Sequence, residues 1–327
     1  FSATDLEVGI TTTVIGKVEA EGKITLPAKL LLDFVSNNKD ESIELTLSDT
    51  IAHLKSERYQ ATIHGISADE FPTIPPASKD YSLTLPKDSL LDAMKKVNIS
   101  AAIDDTRPVL SGVYLNFSNK ELYLVATDSY RLSEKKITLA EPTLERTMIV
   151  PTRTMNEVLR IAAAGNSLES ITLSASESQV AFMMGDTLIV SRLIEGSFPN
   201  YKSIIPTSFK TELAIATGDL LGAVKMSSLF ARGQNSNNIK FQVKDGKVVL
   251  ASTVSEAGST QSNISATVTG EDVEVSFNAR YVLDILNVIG EDEVLVKLND
   301  SSSAGVVTGK KDEYFVYIIM PLKVEGV

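Results

Sequence analysis

The chain has 327 residues, 43% hydrophobic and 22% charged, the balance of an ordinary globular protein. Its 31 basic and 42 acidic residues give a net charge of −11, which excludes a uniformly basic nucleic-acid binder but not a basic stripe on an acidic body. The absence of cysteine excludes disulfides and thiolate metal sites and fits a reducing cytoplasm, and no apolar run reaches the roughly 18 residues of a membrane span.

In chain order, short segments rich in β-branched and aromatic residues predict strands at 43–47, 81–85, 113–117, 122–125, 171–173, 188–193, 239–243, 248–251, 294–298 and 314–319. Lys244-Asp245-Gly246-Lys247, between two of them, predicts a tight hairpin. Five helices interrupt this background, beginning near Pro27, Pro86, Pro151, Thr217 and Asn278. Proline suits a helix start because its φ is preset and the N–H it lacks would be unpaired there. Each helix has one apolar stripe, such as Leu30, Leu31, Phe34 and Val35 in the first, so one face should lie on a sheet and the other stay free. The free faces carry Lys29, Lys87, Lys95, Lys96, Arg153, Arg160, Lys225, Arg232 and Arg280. Nearby acids (Asp33, Asp92, Glu157, Asp284) offer local pairing as the plain explanation. A base recurring at one place, as Lys29, Arg153 and Arg280, favours a shared positive field instead.

That recurrence is part of a longer repeat. Leu26-Pro27-Ala28-Lys29 returns as Val150-Pro151-Thr152-Arg153 and as Phe277-Asn278-Ala279-Arg280, about 125 residues apart, a period too long for a solenoid. Leu83-Thr84-Leu85-Pro86 with Leu90-Leu91 likewise matches Leu213-Ala214-Ile215-Ala216 with Leu220-Leu221. The chain therefore reads as three tandem copies of one α+β domain, at 1–79, 80–206 and 207–327. The stiff Pro-rich connectors at 71–79 and 198–206 link them. Ala3-Thr4-Asp5 matches Ala126-Thr127-Asp128 and Ala251-Ser252-Thr253. About 40 residues precede that point in the later copies and only Phe1 and Ser2 in the first, so the first copy reads as lacking its leading half rather than as a naturally small domain, which would expose an apolar sheet face.

Catalytic material is sparse. The only histidines, His53 and His64, fall in different strands, and neither 16–23 nor 305–310 has phosphate-loop spacing. No catalytic residue, metal site or cofactor is expected. Two segments are not explained by packing: Val125-Ala126-Thr127-Asp128-Ser129-Tyr130-Arg131-Leu132, and the apolar Tyr317-Ile318-Ile319-Met320-Pro321-Leu322, whose proline cannot continue a central strand. A Met beside a Pro at such an end suits an adaptable peptide groove.

At these residues the sequence resembles the bacterial sliding clamp, the β subunit of DNA polymerase III. Thr127-Asp128-Ser129-Tyr130-Arg131-Leu132 is similar to the family's T-D-G-H-R-L, Phe198-Pro199-Asn200-Tyr201 to F-P-D-Y, Asn278–Asp284 to N-V-S-Y-V-L-D, and Met320-Pro321-Leu322-Lys323 to M-P-M-R. The resemblance implies a non-enzymatic processivity factor in the bacterial cytoplasm. Two chains would close head-to-tail into a ring around duplex DNA, with antiparallel sheets outside and two helices per complete domain lining the hole. It implies DNA-facing Lys29, Lys87, Lys95, Lys96, Arg107, Arg153, Arg160, Lys225, Arg232 and Arg280, and an apolar self-contact at Leu229 and Phe230. It further implies a groove for the linear peptides of the polymerase, the clamp loader and other partners. Its residues would be Leu110, Thr127, Ser129, Tyr130, Arg131, Leu132, Pro199, Ile204, Asn278, Tyr281, Ile318, Met320, Pro321 and Leu322. Ser129-Tyr130 in place of Gly-His, Ser203 where an Arg is common, Lys323 in place of Arg and the extension Glu325-Gly326-Val327 depart from the family pattern. A scaffold of the same fold that never encircles DNA is the alternative.

Overall fold

The computed structural model of the chain describes residues 1–76, 80–104, 106–165, 167–231, 237–254 and 258–322. The first third opens with an antiparallel pair, β1 (Ser2–Thr4) and β2 (Val8–Thr12). Helix α1 (Ala28–Asn37) follows, then a three-stranded sheet of β3 (Glu44–Ser48), β4 (Ile51–Lys55) and β5 (Gln60–His64). Alternation turns Ala52, Leu54 and Ile63 of that sheet inward. The α1 stripe departs from expectation: no residue of α1 is buried, and Leu30, Leu32 and Val35 stay exposed.

The second third contains β6 (Tyr81–Pro86), α2 (Lys87–Asn98), β7 (Gly112–Thr127), β8 (Arg131–Pro151), α3 (Thr152–Ala164), β9 (Ser170–Ala175), β10 (Gln179–Met184) and β11 (Thr187–Arg192). Strands read as separate at 113–117 and 122–125 are one strand, β7, irregular in register between Phe117 and Glu121, with Asn119 at φ 52°. Its partner β8 went unread because charged residues interrupt its alternation. Leu90, Met94 and Val97 of α2 and Met155, Val158 and Ala162 of α3 pack with Leu115, Phe117, Leu173 and Phe182 into one core.

The last third contains β12 (Thr211–Ala216), α4 (Thr217–Ala231), β13 (Asn238–Lys244), β14 (Lys247–Val254), β15 (Gly258–Ile264), β16 (Ala266–Gly270), β17 (Val273–Asn278), α5 (Ala279–Val288), β18 (Glu293–Leu298), β19 (Gly305–Gly309) and β20 (Phe315–Ile319). Asp245 (φ 49°) and Gly246 (φ 72°) form the expected tight turn between β13 and β14, where both central residues need positive φ. Its core gathers Leu220, Val224, Phe241, Phe277, Ile285 and Phe315.

All five helices begin where the repeat placed them, with Pro27, Pro86 and Pro151 one residue before the first helical one. Two sheets run across the junctions between thirds. One has strand order β1-β2-β11-β10-β9-β6 and the other β16-β12-β18-β19-β20-β8-β7. Backbone hydrogen bonds between β2 and β11, and between β8 and β20, thus lock neighbouring thirds together. On the helical side α2 packs on α3, α4 on α5, and α2 on α5.

Candidate functional site

The turn from β7 to β8 is built by its own side chains. Thr127 Oγ1 donates to the Arg131 carbonyl at 2.6 Å, and Asp128 Oδ1 accepts from the Tyr130 and Arg131 amides at 2.9 and 3.0 Å. Ser129 takes φ 78° and accepts Arg107 Nη1 on its hydroxyl at 2.8 Å. The Arg131 guanidinium, only 6% exposed, donates to Asp128 (3.1 Å) and across the junction to Asp284 of α5 (2.5 Å), and lies 4.4 Å from the Tyr281 ring centre. Burial works against its charge, but Tyr317, Asp284 and Asp128 outweigh it and raise its pKa further. Burial also pushes the Tyr317 phenol up; its hydroxyl donates to the Tyr281 carbonyl at 2.9 Å.

Beside this cluster Val125, Leu132, Tyr201, Val306 and Ile318 form a small apolar core that bridges the second and last thirds. Phe198 stacks on Tyr114 at 4.8 Å, and Tyr201 donates to Glu134 at 2.5 Å, burial and this carboxylate raising its pKa. The Met320 amide donates to the Tyr130 carbonyl and the Leu322 amide to Ser276, which holds the end of the described chain against the turn.

The expected groove residues thus divide. Tyr130 (59% exposed), Ile204 (50%) and Met320 (41%) are exposed apolar side chains on three segments whose neighbours Leu132, Tyr201 and Ile318 meet in this core, with Pro199 exposed and Pro321, Leu322 and Tyr281 half-buried. Leu110, Thr127, Leu132 and Ile318 are buried, and Asn278 caps α5 by accepting the Arg280 amide. Arg131, expected in the groove, is buried, and its guanidinium bonds Asp128 and Asp284 within the junction. Tyr114, Tyr123, Phe198 and Val306 border the same region and were missed; the aromatic of the F-P-N-Y connector was the available signal. Lys323 and Glu325-Gly326-Val327 lie outside the described residues.

The basic residues divide as well. Lys29, Lys95, Lys225 and Arg280 are exposed on their helices, and among the described residues none makes an ion pair. Arg160 is paired with Glu157 one turn back, Arg153 with Asp5 at 2.7 Å, and Lys87 donates to the Gly165 carbonyl. Lys96 corrects the expectation of a DNA-facing base: it is 5% exposed, and its ammonium donates to Asp92 (3.1 Å) and to Asp312 of the last third (2.7 Å). Lys135 reaches both Asp312 oxygens at 2.6 Å. Only the Asp92–Lys96 pair, four residues apart on α2, was legible in the sequence; Asp312 and Lys135 come from distant parts of the chain. Arg232 lies outside the described residues. Leu229 (54% exposed) and half-buried Phe230 end α4. No group of potential metal ligands and no helix long and apolar enough to cross a membrane occurs among the described residues.

Family models of the DNA polymerase III β subunit match the chain in order: the N-terminal domain over 1–75, the central domain over 84–200 and the C-terminal domain over 202–323. A β sliding clamp of Synechococcus elongatus is 32% identical over 330 residues, covering 100% of this chain and 88% of the relative. One of Staphylococcus epidermidis is 28% identical, covering 99% and 88%. Among solved structures, the β subunit of Thermotoga maritima DNA polymerase III superposes with a TM-score of 0.92 at 27% identity, and the Bacillus subtilis clamp with 0.90 at 26%, each over 99% of this chain and 88% of the other. The N-terminal-domain match from residue 1 overturns the reading of the first copy as a domain lacking its leading half. The repeat alignment behind that reading also missed that the first residues have sheet partners: β2 pairs with β11, and the Phe1 amino group donates to the Thr12 carbonyl at 2.8 Å. The chain belongs to the β sliding clamp family, the non-catalytic processivity subunit of DNA polymerase III.

Proposed function

We propose that two chains close into a ring around duplex DNA, with the helices toward the DNA, and that the rim of Tyr130, Ile204 and Met320 receives linear peptides of the polymerase and other partners. The observation that carries the DNA reading is the set of exposed, unpaired bases on α1, α2, α4 and α5: Lys29, Lys95, Lys225 and Arg280. Four separated cations on an acidic protein favour weak phosphate contacts without base readout, which is what sliding requires. Leu229 and Phe230 would supply apolar contact at the seam between chains. The peptide reading is supported by exposed apolar side chains on three segments, distant in sequence, whose neighbours Leu132, Tyr201 and Ile318 share one core, a setting in which a few buried anchors can carry most of the affinity. Domain limits at 1–79, 80–206 and 207–327 belong to the same proposal.

The test loads the full chain onto nicked circular DNA with a clamp loader of a related bacterium. Retention that disappears when the circle is linearised supports encirclement; equal loss from both forms refutes it and favours the scaffold alternative.

A further inference from the structure

The junction between the first and second thirds repeats the geometry of the next junction with different side chains. Thr4 Oγ1 donates to the Val8 carbonyl (2.9 Å) and accepts the Leu6 amide (3.0 Å), while Asp5 Oδ1 accepts the Glu7 and Val8 amides (3.1 and 2.9 Å). Thr127 and Asp128 make the same four bonds to residues 129–131, at 2.6, 3.1, 2.9 and 3.0 Å. Leu6 and Ser129 share φ 78°. Val8 pairs with Ser191 as Arg131 pairs with Ile319, and the Arg192 amide donates to the Glu7 carbonyl as the Met320 amide does to Tyr130.

This correspondence places Glu7 where the other junction has Tyr130, and Arg192 where it has Met320. Between them and the connector residues Pro72–Pro75 opens a cleft of about 740 Å³. Its connector wall is seated by Ile74, which approaches so closely that a Cβ at Gly9 would come within 2.8 Å of it. Asp5 is neutralised by Arg153 at 2.7 Å. Glu7 and Arg192 are exposed, and among the described residues neither forms an ion pair. The cleft therefore offers one anionic and one cationic contact flanking an apolar wall of Ile74 and Val190, whereas the rim at the second junction is apolar.

We infer that this cleft is a second docking site, for an extended segment of a partner protein that carries an apolar anchor between one basic and one acidic side chain. Glu7 takes the base, Arg192 the acid, and Ile74 the anchor. The inference shares with the proposed peptide groove the assumption that these junctions hold extended chain, but it uses different residues.

The experiment titrates the full chain, by fluorescence anisotropy, with labelled short Gly/Ser peptides bearing Lys-Leu-Glu, Ala-Leu-Ala, Glu-Leu-Glu or Lys-Leu-Lys. Lys-Leu-Glu should bind about tenfold more tightly than Ala-Leu-Ala, the effect of two partly exposed charge contacts. Glu7→Lys should shift the preference to Glu-Leu-Glu, and Arg192→Glu to Lys-Leu-Lys. Met320→Lys should leave all of this unchanged, which separates failure of this cleft from failure of the groove at the second junction. Equal affinity for the four peptides, or preferences unmoved by Glu7→Lys and Arg192→Glu, would overturn the inference. So would self-association of the chain that Glu7→Lys abolishes, because a second copy would then be the occupant.

Discussion

Asp312 pairs with both Lys96 and Lys135 and so links the second and last thirds, and its removal should loosen that junction. In Asp312→Ala, Lys96 and Lys135 would be left sharing Asp92, which is 45% exposed and lies 3.0 and 3.5 Å from their ammoniums. Both lysines are enclosed, their side chains 6% and 12% exposed, and Lys96 also lies 5.5 Å from the centre of the Phe315 ring. Removing one partner of a buried charge cluster costs about 3–5 kcal/mol, against a domain stability of about 5–15 kcal/mol. With a urea slope of about 2 kcal/mol/M, the midpoint of the transition reporting this junction should fall by about 2 M. A shift under about 0.3 M would refute the reasoning. The combined Lys96→Met, Lys135→Met and Asp312→Leu variant should recover most of the loss, because no unpaired charge remains buried. The pH dependence has two arms. Burial raises the Asp312 pKa, but hydrogen bonds from Lys135 and Lys96 outweigh it and hold the group below its ordinary 3.8. Its contribution is therefore present above pH 3.8 and lost as pH falls through the lowered value. Burial likewise lowers the Lys96 pKa, but Asp312 and Asp92 outweigh it and raise it above 10.5, so that its contribution is present below pH 10.5 and lost as pH rises through the raised value.

Replacing Leu229 and Phe230 with Asp should yield monomers by light scattering, because charge would be buried at the proposed seam; a persistent dimer would place the seam elsewhere. Met320→Lys should abolish binding of a peptide with Leu and Phe anchors, measured by calorimetry, with folding unchanged; unaltered affinity would refute the rim as its site. Gly270→Ala should lower stability by about 2 kcal/mol or more in a urea melt, since Gly270 has φ 110° and a Cβ there would collide with the Lys210 carbonyl oxygen; a neutral effect would contradict the backbone geometry.

The sequence revealed the fold wherever a local signal repeats. Every helix start was readable because proline, Thr217 or Asn278 precedes an apolar stripe at a fixed place in each copy. The Asp-Gly turn was readable because only a few residues accept its φ values. Features made by distant residues were not legible. Lys96 looked like its exposed neighbour Lys95 until Asp312 closed over it, and nothing in the sequence pairs the groove candidate Arg131 with Asp284 across the junction. The long hairpin of β7 and β8 escaped because its pairing, rather than its residue alternation, defines it. Motif resemblance singled out Tyr130 and Met320 for the proposed groove, but gave no hint that Tyr114 and Tyr123 pack against the core of Val125, Leu132, Tyr201, Val306 and Ile318.

In the proposed ring, the exposed bases on the helices face the encircled DNA. The most direct measurement reverses Lys29, Lys95, Lys225 and Arg280 to Glu together, leaves the structural Lys96 intact, and follows loss of the loaded protein from circular DNA as salt is raised. Loss should be faster and its salt dependence shallower, independent of DNA sequence, at unchanged thermal stability. Retention and salt dependence equal to those of the parent would contradict it.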